Sequence, residues 1–219
     1  MMSKTVAVLG GTGNEGPGLA LRWANSGKYK VIVGSRQLEK GERVAQELNE
    51  KLGRDVITGM TNEDAVKAAD LCVLTVPYSA HEATLMGLRD LLQGKILVDV
   101  TVPLKPPKVS QVNIPPGGSA GQEAQALLGE GVRVVSAFQN VGTVHLAEDE
   151  SHIDCDVLVC GDDKAAKLEA IALAEAAGMR GIDAGPLQNA VVVEGLTSVL
   201  IGINMRHKVK GAGIKITGI

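Results

Sequence analysis

The sequence predicts an α/β fold: a doubly wound parallel sheet with a small α/β domain at its C-terminal end. Three observations carry that expectation. Short apolar runs alternate with helix-period patterns along most of the chain, as βαβ units require. The first run, Val6-Ala7-Val8-Leu9, leads into G-x-G-x-x-G on Gly11, Gly13 and Gly16. The second, Lys30-Val31-Ile32-Val33, closes on Gly34-Ser35-Arg36 about 20 residues after the last glycine, the spacing of a Rossmann-type dinucleotide fold.

The elements follow in order. A strand at 5–9 precedes a helix over 14–26, whose Leu19, Ala20, Trp23 and Ala24 share one face. A strand at 30–34 precedes a charged helix over 37–52. A third strand lies at 56–59, with a short helix over 62–68. The apolar runs 71–76 and 95–100 are the fourth and fifth strands, joined by a helix over 79–92. Residues 103–118 are rich in proline and glycine and read as a loop. A helix over 119–128 leads to a sixth strand at 132–137. The first domain is expected to span 1–150, and a second, 151–219, to hold a strand at 156–159, a helix over 163–177, a strand at 179–183 and an apolar helix over 187–205.

Composition narrows the function classes. The net charge is −3, and four aromatic residues leave nothing to interleave with a basic patch, so nucleic acid is not expected as a partner. No run of about 18 uncharged apolar residues suggests a membrane span. The first strand begins almost at once, which leaves no room for a signal peptide and makes the cytoplasm the expected location. Cys72, Cys155 and Cys160 lie on apolar runs and read as buried thiols. The histidines are scattered without metal-ligand spacing, and no metal site is expected.

In the glycine motif, Gly11 suits the tight turn out of the strand, Gly13 a close approach of a pyrophosphate, and Gly16 close packing of the next helix. The loop 11–16, with Thr12, Asn14 and Glu15 between the glycines, opens onto a helix N-terminus that can hold phosphates. After the second strand an NAD site would carry an acidic residue for the ribose diol. Ser35, Arg36 and Lys40 stand there instead, a hydroxyl and two cations suited to a 2′-phosphate, so the expected cofactor is NADP(H).

Three further strand ends should border the site, since ligands of open parallel sheets lie outside the carboxyl ends of the strands. Val76-Pro77 would border the adenosine ribose or pyrophosphate, Val100 the nicotinamide, and 137–142 a second substrate stacked on that ring. No Lys, His or Tyr stands out there as a proton carrier; His81 is the nearest and reads as a surface or phosphate-side residue. No catalytic residue is therefore assigned. A partner that is itself a hydride-carrying cofactor needs only position, stacking and a dry pocket.

The chain resembles the F420-dependent NADP oxidoreductases, also called NADPH:coenzyme F420 reductases. The resemblance rests on 10–16, 33–36, 57–65, 159–163, 183–187 and 193–197, and reaches Gly213-Ile214-Lys215. It implies an N-terminal Rossmann domain, a small C-terminal domain carrying the deazaflavin site and dimer contacts, a homodimer, and reversible hydride transfer between C4 of the nicotinamide and C5 of the deazaflavin. Thr12, Asn14, Ser35, Arg36 and Lys40 match the family's NADP positions. Gln139, Val141, Leu196 and Thr197 match positions facing the deazaflavin, with Ala137 completing its floor. Archaeal members have His in place of Gln139, Pro in place of Gly142 and Ser in place of Gly195; Gln139 can donate and accept hydrogen bonds but carries no charge. Two other readings stand beside this one: an NADPH-dependent flavin or ferric reductase, whose membrane-anchored forms carry a similar Rossmann module, and a non-catalytic NADP(H)-binding redox sensor.

Overall fold

A computed structural model of the chain describes residues 3–147 and 152–219. Its strands are β1 (Lys4–Leu9), β2 (Tyr29–Ser35), β3 (Ile57–Thr61), β4 (Leu71–Leu74), β5 (Ile96–Asp99), β6 (Arg133–Ser136), β7 (Asp156–Gly161) and β8 (Arg180–Asp183). Its helices are α1 (Gly16–Ser26), α2 (Leu38–Leu52), α3 (Asn62–Ala68), α4 (Tyr78–Leu92), α5 (Ala120–Leu128), α6 (Thr143–Ala147), α7 (Lys164–Ala176) and α8 (Ala190–His207), with a 3₁₀ turn at Leu187–Asn189 before the last. One sheet holds all eight strands in the order β3-β2-β1-β4-β5-β6-β7-β8.

Alternate residues of each strand feed opposite layers, as the period of two dictates. Val6 and Val8 of β1 join Leu19 and Trp23 of α1 on one face. Ala7 and Leu9 join Cys72 and Leu74 of β4 and Leu85 of α4 on the other. The helices end as their sequences direct: α1 stops at Gly27 and α2 at Gly53, both left-handed, and Thr61, Ser119 and Asp163 cap the N-termini of α3, α5 and α7 with side-chain oxygens.

One strand departs from the expected parallel sheet. The sheet is not parallel throughout: β7 runs antiparallel to β6, pairing Ser136 with Cys160, while β8 runs parallel to β7. Among the described residues of the link between β6 and β7 lies the short α6, which the periodicity did not reveal. The Arg22 guanidinium donates to the carbonyls of His145, Leu146 and Ala177, so α6 is held against α1. The expected domain boundary at 150 lies outside the described residues.

The segment Leu187–His207 is, by length and composition, apolar enough to cross a membrane, with mean hydropathy 1.3. It escaped the count of uncharged runs because Glu194 sits in its middle. In this fold that carboxyl is buried and accepts the Ala120 N–H of α5, so this side of the helix packs on α5.

Candidate functional site

The loop 10–16 leaves β1 through Gly10, whose φ of +68° only glycine adopts cheaply. The sharp conformation thus belongs to Gly10; Gly11 is required for space, since a Cβ there would lie 2.7 Å from the Val8 carbonyl oxygen. At Gly16 a Cβ would meet the Gly11 backbone at 2.6 Å, so the first turn of α1 rests directly on the loop. At Gly13 the protein makes no such demand: the nearest atoms to a Cβ lie at 3.6 and 3.7 Å, ordinary contact. A glycine that the fold does not need is what a ligand lying on the loop would need. Thr12 is partly exposed and Asn14 exposed on the same loop. Glu15 is half-buried, and burial pushes its carboxyl up to about 7, so the loop carries less fixed negative charge at neutral pH than its composition suggests.

This loop forms one wall of a cavity of about 510 Å³. Ser35, Arg36 and Lys40 at the end of β2 form the second wall, and Val76 and Pro77 at the end of β4 the third. Ser35 is buried, with its hydroxyl accepting from Gln37 N at 3.2 Å. Arg36 and Lys40 are exposed, and neither has an ion-pair partner among the described residues. Sequence reading missed Asn62, which is buried at the start of α3, accepts the Gly10 N–H at 3.1 Å and also lines the cavity. It lies within the 57–65 stretch already singled out, but its reach back to Gly10 crosses 52 residues.

The second group of candidate residues lies mainly at the carboxyl ends of β5 and β6. Val100, Ala137, Gln139 and Val141 are all buried there. Thr197 approaches from α8, its hydroxyl donating to the Gln139 carbonyl at 2.7 Å; Leu196 instead packs against the other layer, that of Ala7 and Leu9, away from Val100, Ala137 and Val141. Phe138, between Ala137 and Gln139, has a φ of +76°, a strained conformation for a non-glycine residue. Its ring meets Trp23 of α1 edge-on, with centroids 5.8 Å apart and planes at 75°, and the Trp23 indole donates to the Leu173 carbonyl of α7 at 2.8 Å.

Behind Gln139 lies a buried polar group that sequence reading did not assemble. His81 is not a surface residue: it is 2% exposed, and its Nε2 lies 2.6 Å from Asp99 Oδ2. Helix α4 starts immediately after Pro77, and its first turn carries His81 inward. Burial alone would lower the imidazole's pKa; the hydrogen bond and charge of Asp99, with Glu123 and Glu194, overcome that and raise it. Glu194 is 1% exposed, and burial pushes its carboxyl up to about 7 against the backbone N–H groups of Gly121 and Ala120 that favour ionisation. The signal in each case was a lone acid in an apolar stretch: Asp99 ends 96–99, and Glu194 interrupts 190–207.

Comparison with known proteins bears on the family. Residues 5–103 match the family described as NADP oxidoreductase coenzyme F420-dependent. The F420-dependent NADP reductase of Methanocaldococcus jannaschii is 42% identical over 223 residues, covering 98% of each chain. That of Methanothermobacter thermautotrophicus is 42% identical over 226 residues, covering all of this chain and 97% of its own. A solved structure described as a putative F420-dependent NADP-reductase from Arthrobacter sp. FB24 superposes with a TM-score of 0.79 at 26% identity, covering 97% of this chain and 99% of that one. With a Rossmann-type sheet, a glycine loop facing unpaired cations, and full-length relatives at this level of identity, the chain belongs to the F420-dependent NADP reductase family.

Proposed function

We infer that this protein is an NADP-dependent oxidoreductase that transfers hydride reversibly between NADP(H) and coenzyme F420. The observation that carries the NADP half is the cavity in which the glycine loop faces Ser35, Arg36 and Lys40. Lys40 supports it further. A cation in the first turn of α2 sits against the helix dipole, a placement that an anionic ligand offsets. The reading gives Gly11, Thr12, Gly13, Asn14, Glu15 and Gly16 the pyrophosphate, with Ser35, Arg36 and Lys40 on the 2′-phosphate. Val76, Pro77 and Val100 border the ribose and nicotinamide, while Ala137, Gln139, Val141, Leu196 and Thr197 take the deazaflavin.

NADPH supplies a hydride from C4 of the nicotinamide, and the deazaflavin accepts it at C5, with one proton taken up overall. The chain's own part is to align the two rings and keep water out of the gap, a role that buried Val100, Ala137 and Val141 suit. In this reading residues 1–150 hold the dinucleotide and 151–219 complete the deazaflavin side. Helix α8 leaves Val192, Val199 and Met205 exposed, which supports a homodimer formed through that region; static light scattering of the pure protein decides this. Three buried free thiols suit the reducing cytoplasm, and the proposed ligands are small molecules, without nucleic acid or membrane.

The test mixes pure protein with oxidised coenzyme F420 and either NADPH or NADH, and follows the deazaflavin's visible absorption. Rapid bleaching with NADPH alone is expected. Reduction of free FMN or FAD but not of the deazaflavin would point to the flavin or ferric reductase reading. Tight NADPH binding without turnover on any acceptor would point to a sensor.

A further inference from the structure

Asn62 follows Thr61 at the carboxyl end of β3, beside the end of β2, where Ser35 pairs with Thr61. Its side chain is 4% exposed. Oδ1 accepts the Gly10 N–H at 3.1 Å, so the amide has one orientation: reversing it would set its hydrogens against that N–H, two donors in contact. The space for it is kept by Gly34, where a Cβ would lie 2.8 Å from Oδ1. The amide nitrogen, Nδ2, has no hydrogen-bond partner among the described residues. It is not closed off either: the one buried side-chain polar atom among them that is both enclosed and unpaired is Gln139 Oε1. Nδ2 therefore opens on the cavity of about 510 Å³ that Asn62 lines. A buried donor held in this way carries a desolvation penalty that an acceptor on a ligand relieves.

Its neighbours there are donors too. The Ser35 oxygen accepts the Gln37 N–H at 3.2 Å, and the hydroxyl hydrogen has no acceptor among the described residues. Arg36 and Lys40 line the same cavity and can only donate. The corner where β2 and β3 end thus offers hydrogens from four side chains, of which Ser35 and Asn62 are buried. A phosphate monoester, rich in acceptors, satisfies such a corner. A ribose diol brings hydroxyl hydrogens of its own, and no carboxylate lines the cavity to take them.

We propose that Asn62 is a specificity-determining residue of the dinucleotide site: its Nδ2 donates to an oxygen of the ribose 2′-phosphate while its Oδ1 holds the glycine loop at Gly10. One amide thereby ties the loop that takes the pyrophosphate to the group that distinguishes NADP(H) from NAD(H). The proposal rests on the reading of this cavity as an NADP(H) site.

The experiment measures the Kd of NADPH and of NADH by nicotinamide fluorescence, at pH 8 and without any hydride acceptor. It is run on the wild type, Asn62→Asp and Asn62→Ala, with a melt of each ligand-free protein to establish folding. Asn62→Asp keeps the acceptor for Gly10 and exchanges the donor for an anionic oxygen. NADPH should then bind about thirtyfold or more weakly, while NADH changes by less than about threefold. Asn62→Ala removes both ends and leaves the Gly10 N–H unpaired, so both cofactors weaken, NADPH by about fivefold more than NADH. In an Arg36→Ala background the Asp substitution should still lower NADPH affinity, which separates a direct contact from capture of the Arg36 guanidinium. An unchanged ratio of the two Kd values in Asn62→Asp overturns the proposal, as does a loss that disappears once Arg36 is gone. Should Asn62→Asp fail to fold, equal losses of both cofactors in Asn62→Ala overturn it. A wild type that binds NADPH no better than NADH overturns the 2′-phosphate reading and this inference with it.

Discussion

Arg36 is a long cation at the rim of the cavity beside the glycine loop, with no ion-pair partner among the described residues. A guanidinium in that setting suits a phosphate monoester and gains little from a diol. Arg36→Glu should therefore raise the Kd for NADPH at least about tenfold while changing that for NADH by less than about twofold. Titration of nicotinamide fluorescence reads both values, and an equal loss for the two cofactors would remove Arg36 from the 2′-phosphate. The residues of this half were legible in the sequence because local spacing fixes them: a glycine loop, then the end of the next strand. Asn62 and Glu194 were not, because they act across the fold, Glu194 on Ala120 over 74 residues. Nor was Phe138, since neither its identity nor its neighbours announce a positive φ.

Among the elements, the loop between β1 and α1 separates what the fold needs from what a ligand needs. Ala at position 16 would drive its Cβ into the Gly11 backbone, whereas Ala at position 13 would meet only ordinary contacts. Gly16→Ala is thus expected to lower the melting temperature of the ligand-free protein and to weaken NADPH binding. Gly13→Ala should melt within about 0.5 kcal/mol of the wild type and still lose NADPH affinity. A ligand-free melt as damaged in Gly13→Ala as in Gly16→Ala would deny the loop that division. The order and type of the strands and long helices were readable from period and punctuation. The direction of β7 was not, because a period of two is the same read either way along a strand. The five-residue α6 is too short to show a period at all.

Across the whole molecule, the buried titratable groups give stability a pH dependence of one sign near neutrality. Glu194 has a raised pKa in the folded chain, so its contribution is full below pH 4.5 and is lost as pH rises through about 7. Its size is on the order of 3 kcal/mol, since each tenfold gain in proton affinity is worth about 1.4 kcal/mol. His81 acts in the same direction: its raised pKa stabilises the fold fully below pH 6.5 and ceases to do so above the folded value. The wild type should therefore melt at a lower temperature at pH 8.5 than at pH 6, and Glu194→Gln should narrow the difference. A melting temperature that rises over this interval would contradict the assignment.

The edge-on contact between Trp23 and Phe138 has a consequence for how such a protein can diversify. It couples the helix that begins at the phosphate loop to the turn that carries Gln139, so drift at either ring disturbs both halves of the site together. A lineage under selection for a different hydride acceptor would find the β6 turn closed to gradual change. Its adaptive substitutions would accumulate instead on the opposite bank, along α8 around Leu196, where a side chain can vary without dislodging the dinucleotide.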